Sequence, residues 1–204
     1  MLHFCNVDFE DKHYAAGPAP DFDKSQWTDV KFTLGMEFPN LPYLIDEDFK
    51  ISESSAICKY IAAKWRPELL GANPHQQGHA EMLLQYVMKL KETSTMGAYM
   101  GKTREEVYTN CADQITAIVG WLGEKTWLTG DSVTWLDFFF FELLDYINSF
   151  SEGHVTQIYP TLASYHYRFT TMPGFAETWA DDNKTMKWPF NGDQAGFGGR
   201  NSSL

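Results

Sequence analysis

Cysteine is scarce in this 204-residue chain: Cys5, Cys58 and Cys111 are odd in number and far apart. No Cys-X-X-Cys pair occurs, which removes the dithiol redox motif and leaves no readable zinc site. Sparse, unpaired thiols suit a reducing compartment. Cationic side chains are few as well. Sixteen Lys and Arg stand against 27 Asp and Glu, a formal net charge of −11, and such a surface repels a nucleic-acid backbone or an anionic membrane. Long apolar runs are also missing. The longest, at 138–141, is far too short to span a bilayer. The first eight residues reach Asp8 too soon for a secretory signal. Neither a nucleic acid nor a membrane is expected as a partner, and a cytoplasmic protein is.

What the chain does hold is enough for a substantial core: 44% hydrophobic and 16% aromatic residues, with 21% charged. Its character changes near 70–77. The stretch 66–74 has the Pro and Gly content of a linker, so a boundary is placed between a domain at 1–70 and a helical domain at 71–190, with a coil tail at 191–204. In the first domain, short strands are expected at 11–15, 42–46 and 49–51. A helix is expected at 54–64, where Ala56, Ile57, Tyr60 and Ile61 form one apolar face. The inner strand that an α/β domain requires, a continuous apolar run, has no candidate. Met1–Phe4 reads as the end of a helix, so the beginning of this domain is expected to be absent. In the second domain, Ala80, Leu83, Leu84, Val87 and Leu90 mark a helix over 78–99. Val107, Cys111, Ile115, Ile118, Val119 and Leu122 mark another. The segment 134–150 is apolar nearly all round, as a central helix would be. Leu162, Tyr165 and Phe169 predict a further helix, and Phe175 with Trp179 a last short one.

Three segments carry chemistry. In Phe38-Pro39-Asn40-Leu41-Pro42 the last proline stands just before a buried strand, where a cis bond turns the backbone outward. Leu41 can then offer its N–H and C=O to a peptide ligand as a strand edge would; a Pro-bounded strand start is the alternative. Glu53-Ser54 opens a helix, where exposed N–H groups and the dipole favour a carboxylate. The Ser54 hydroxyl adds a donor, and Glu53 an acceptor for an ammonium, which together suit the zwitterionic end of an amino acid. N-capping by Ser54 is the alternative. Lys24 and Lys31 flank Trp27 in an acidic region, and two ammonium groups with an indole N–H can hold a second carboxylate.

In this order and spacing, the three segments resemble the glutathione site of Mu-class glutathione transferases, and the likeness spans about residues 1–190. It implies an α/β thioredoxin-like N-terminal domain, incomplete here, followed by an all-α helical bundle. It implies glutathione as co-substrate, held by Lys24, Trp27, Lys31, Asn40, Leu41, Pro42, Glu53 and Ser54, and small hydrophobic electrophiles as the other substrates. Tyr99 falls where a second tyrosine points into the electrophile pocket. Phe38 matches an aromatic key between subunits, which implies a homodimer. Thr134 with Asp137 resembles the family's capping box on the central helix, a folding element. No metal takes part.

The departures from the family pattern matter too. About twenty residues that would precede Met1 in the family, with the thiol-activating tyrosine, have no counterpart. Tyr14 aligns with a structural tyrosine. Glu53 stands for a usual Gln, and Lys24 replaces an arginine, losing a bidentate grip. Lys89 stands where an aspartate reaches the partner subunit's glutathione. Little transferase activity is therefore expected of this polypeptide as written. The alternatives are a non-catalytic binding or scaffold protein of the same fold and a carrier of apolar ligands.

Overall fold

The computed structural model describes residues 1–185 and Gln194–Ala195; apart from those two, the tail expected at 191–204 lies outside the described residues. The elements in order are α1 (Ser25–Lys31), β1 (Tyr43–Asp46), β2 (Phe49–Ser52), α2 (Ser54–Trp65), a 3-10 turn (Pro67–Leu70), α3 (Pro74–Tyr99), α4 (Arg104–Leu122), α5 (Trp135–Phe150), α6 (His154–Ile158), α7 (Pro160–Thr170) and α8 (Ala176–Thr185). A two-stranded N-terminal sheet with its helices is followed by a mostly helical C-terminal part, as expected.

β1 and β2 form an antiparallel hairpin with Tyr43 opposite Ser52 and Asp46 opposite Phe49. Its two-residue turn starts with Glu47 at φ 55, the left-handed conformation that the first turn position requires. The Asp46 carboxylate accepts from Tyr60 and Lys64 of α2, which ties the hairpin to the helix behind it. The strand expected at 11–15 does not form. A strand exists by pairing its N–H and C=O groups with a neighbour, and among the described residues the only ladder is that between β1 and β2. Side chains fasten it instead: the Ala15 N–H donates to Gln26 Oε1 at 3.0 Å, and the Tyr14 and Tyr43 hydroxyls bond at 2.8 Å. Met1–Phe4 does make a helical turn, with the Cys5 N–H on the Met1 carbonyl at 2.9 Å. Its Phe4 ring packs on Phe138 with centroids 5.0 Å apart.

The expected linker contributes structure of its own. Pro67 opens the 3-10 turn, and Pro74 is the first residue of α3 rather than a loop residue. A proline there loses no helical hydrogen bond. Asn73 caps that helix, its side chain accepting from the His75 and Gln76 N–H groups. α3 and α4 then pack as a hairpin in which the Val107 side chain lies against Gly97. A Cβ there would sit 2.5 Å from Val107 Cγ2, so any larger residue would force Val107 or the helices to shift.

α5 is the centre of the molecule. Trp135, Leu136, Phe140, Leu144 and Ile147 are each almost fully buried. Phe138 meets Phe169 and Phe175 edge to face on one of its sides, as Phe141 meets Phe175, while Phe141 stacks on Phe169. Its first turn closes on Asp137, whose carboxylate accepts from the Thr134 N–H and hydroxyl, each at 2.8 Å. The same carboxylate takes the Leu128 N–H at 2.8 Å and the Tyr165 hydroxyl at 3.0 Å. Burial pushes the Asp137 carboxyl above its usual range against the pull of those donors. The capping box is thus a hub that binds α5, the loop before it and α7. No described helix is long and apolar enough to cross a membrane.

Candidate functional site

The Leu41–Pro42 bond is cis, which its place before β1 allowed. Pro39 is buried beneath the loop, while Asn40, Leu41 and Pro42 are exposed. The Ser52 hydroxyl donates to the Phe38 carbonyl at 2.6 Å, anchoring the loop to the end of β2. Phe38 itself stands 78% exposed, far more than an aromatic side chain in the interior.

Asn40 joins this loop to the start of α2. Its Nδ2 donates to Glu53 Oε1 at 3.1 Å, and its Oδ1 accepts from the Leu41 N–H at 3.0 Å. Glu53 has φ 73, a conformation that costs a non-glycine residue about 1–3 kcal/mol and tends to be stored where function needs it. Serine capping is corrected here. Glu53 occupies the N-cap position, its carbonyl taking the Ile57 N–H, and Ser54 is the first helical residue. The Ser54 hydroxyl has no hydrogen-bond partner among the described residues, so it is not spent on the helix.

Trp27 and Lys31 lie on a helix, α1, with Lys24 at its N-cap position, where the sequence reading placed no element. Trp27 stacks on Tyr43 (centroids 5.9 Å, 15° between planes) and meets Tyr14 edge-on at 5.3 Å. This aromatic set fixes α1 to the start of β1, one residue beyond Pro42. Burial, then the bond to Tyr14, pushes the Tyr43 hydroxyl up to about 12. The two lysines are not gathered in the same way. Lys24 is exposed, and the Lys31 ammonium lies over the Phe32 ring at 5.3 Å. Neither makes a hydrogen bond to residues 40–42 or 53–54.

On the far side of Ser54 opens a cleft of about 140 Å³, lined by Ser54, Lys91 and Thr95 of α3, and Phe139, Glu142, Leu143 and Tyr146 of α5. Tyr99, 42% exposed, lies one helical turn beyond Thr95 on α3. The sequence reading missed this cleft. Its two walls have the signal of helical faces, Lys91, Thr95 and Tyr99 on one, Phe139, Glu142, Leu143 and Tyr146 on the other. Only Glu142, a charge inside an otherwise apolar run, sets the second wall apart from core.

Comparison with known proteins shows the family. Residues 1–63 match the model of the glutathione S-transferase N-terminal domain, and residues 81–181 that of the C-terminal domain. Glutathione S-transferase Mu 1 of Rattus norvegicus is 35% identical, over 83% of this chain and 78% of that protein. Glutathione S-transferase Mu 3 of Macaca fuscata fuscata is 30% identical, over 98% and 88%. The crystal structure of the glutathione S-transferase Blo t 8 superposes with a TM-score of 0.79 at 28% identity, covering 97% of this chain and 91% of that one. Both domain models match in order, and relatives of the Mu type extend over most of the length. The chain belongs to the glutathione S-transferase family.

Proposed function

We propose that this protein binds glutathione and conjugates its thiolate to small hydrophobic electrophiles. The observation that carries the reading is the Asn40 bridge, which brings the exposed edge of the cis-proline loop and the start of α2 together in a member of this family. The cysteinyl backbone of the tripeptide pairs with Leu41, displacing the Asn40 amide from the Leu41 N–H. The γ-glutamyl end takes the Ser54 hydroxyl, the N–H groups of the first turn of α2 and the Glu53 carboxylate. Trp27, Lys24 and Lys31 serve the glycine carboxylate, and Pro42 holds Leu41 in its outward conformation. Residues 1–70 form the glutathione-binding unit and 71–190 the helical unit that completes the electrophile pocket, where Tyr99 directs its hydroxyl.

A free thiol has a pKa of about 8.5, so only a few per cent is ionised at pH 7. Lowering it by two units stabilises the thiolate by about 2.7 kcal/mol. The residues assigned above bind and orient; that further task falls to none of them. The exposed Phe38 ring is the key to a second copy of the chain, and the dimer works in the cytoplasm. Isothermal titration of the full chain with glutathione, followed by conjugation to a chromogenic aryl halide, tests the reading. Saturable binding with slow turnover is expected, and a well-folded chain that takes up no glutathione would sink it.

A further inference from the structure

The first two turns of α3 carry a pair of imidazoles that the glutathione reading leaves unused. His75 and His79 stand one helical turn apart, and both are exposed. Residues at that spacing are neighbours on one helix face. Helical side chains lean toward the N-terminus, so His79 lies over the turn that holds His75. Among the described residues neither ring makes a hydrogen bond or an ion pair. The His79 ring meets Trp121 of α4 edge-on at 5.0 Å, which limits its freedom while leaving its nitrogens unspent. Gly78 flanks the pair, and a Cβ there would meet nothing within 4 Å, so the surface beside the rings is open. The backbone beneath them is fixed. Asn73 caps the helix through the His75 and Gln76 N–H groups. Gln76 Oε1 accepts from the Ala72 N–H at 2.8 Å, and Gln77 Nε2 donates to the Gly71 carbonyl at 3.0 Å. These bonds hold the first turn against fraying, so the two rings are in register before any ion arrives.

From this arrangement we infer that His75 and His79 chelate a divalent first-row transition ion, with one nitrogen from each ring. Imidazole suits zinc, copper and nickel, and two histidines at i and i+4 on one helix face form a spacing that binds zinc. No third His, Cys, Asp or Glu joins them among the described residues. Water fills the remaining positions, so the ion is exchangeable, unlike one in a closed four-ligand site. The positive end of the α3 dipole opposes a cation here, as does the Lys125 ammonium, which lies over the Trp121 ring at 4.9 Å, and both lower the affinity. The site shares no residue with the glutathione assignment and takes no part in conjugation.

The test is calorimetric titration of the full chain with zinc chloride, beside His75→Ala, His79→Phe and the double variant His75→Ala/Gly78→His. His79→Phe keeps a ring against Trp121 and removes only its nitrogens. Loss of either imidazole is expected to weaken zinc binding at least about tenfold, because changes to the outer shell of a metal site alone cost about 10–100-fold. The double variant keeps two imidazoles at adjacent positions, which do not face each other, and should bind as weakly as His75→Ala alone. Should one single variant fail to fold, the other decides by the same comparison with the parent. A parent chain that takes up no zinc overturns the inference. So does a folded single variant, or the double variant, that binds zinc as the parent does.

Discussion

Replacing Asp137 by alanine should be among the most damaging single changes to this fold. The side chain is wholly buried and accepts four hydrogen bonds, from the Leu128 N–H, the Thr134 N–H and hydroxyl, and the Tyr165 hydroxyl. Leu128, Thr134 and Tyr165 are themselves 0% exposed, so water cannot replace the lost acceptor. Each buried polar group left without a partner costs about 1–3 kcal/mol. Part of that is recovered where a hydroxyl rotates to another acceptor, and about 3–5 kcal/mol remains. Against a typical total of about 5–15 kcal/mol, the variant would retain little reserve. The damage would also reach the cleft, because α5 carries Phe139, Glu142, Leu143 and Tyr146. Urea unfolding followed by tryptophan fluorescence reads the effect, since Trp127 and Trp135 flank the hub. With a slope of about 3 kcal/mol per M, the midpoint should fall by about 1–1.7 M. Asp137→Asn keeps the shape and one acceptor but turns an amide N–H toward the Thr134 N–H, and should lose less. A midpoint for the alanine variant within about 0.3 M of the parent, at unchanged slope, would refute the reasoning.

Three other outcomes are expected. The Lys64 ammonium and Tyr60 hydroxyl hold the Asp46 carboxyl below its ordinary value; a lowered folded pKa gives stability that is present above about 3.9, the unfolded value, and lost as pH falls through the folded one. Asp46→Asn should therefore flatten the acid side of the thermal-stability profile, and an unchanged slope below pH 4 would count against the hairpin–α2 link. Burial pushes the Cys58 thiol up to about 12 and the Cys111 thiol up to about 11, so native protein at pH 8 should react slowly with a chromogenic disulfide at both sites, and rapidly once unfolded. Rapid labelling of either in the folded state would contradict the packing. Phe38→Ser should shift sedimentation from dimer to monomer while preserving the far-ultraviolet spectrum; a variant that sediments like the parent would remove Phe38 from the interface.

Much of this protein was determined by local sequence. The 3.6-residue spacing of apolar side chains is a property of the chain itself, and it located the cores of α2, α3, α4, α5 and α7 within a few residues. The capping box of α5 was equally legible, because it depends on neighbours in sequence; the cis bond at Leu41–Pro42 was legible only as one option, and the one at Ala19–Pro20 had no signal. The expected strand at 11–15 failed because a strand is not a local object: it needs a partner edge, and composition cannot say whether one is adjacent. α1 escaped notice because what fastens it is the stacking of Trp27 on Tyr43, sixteen positions on in the sequence. Ser54 looked like a cap until the backbone placed Glu53 at that position with a positive φ. Only the tertiary structure set Lys91 across from Glu142, residues of two helices whose separate patterns each read as ordinary amphipathic or buried faces. The pairing of those faces over Ser54 is decided by packing around α5, and charge in the intervening space has no signature along the chain.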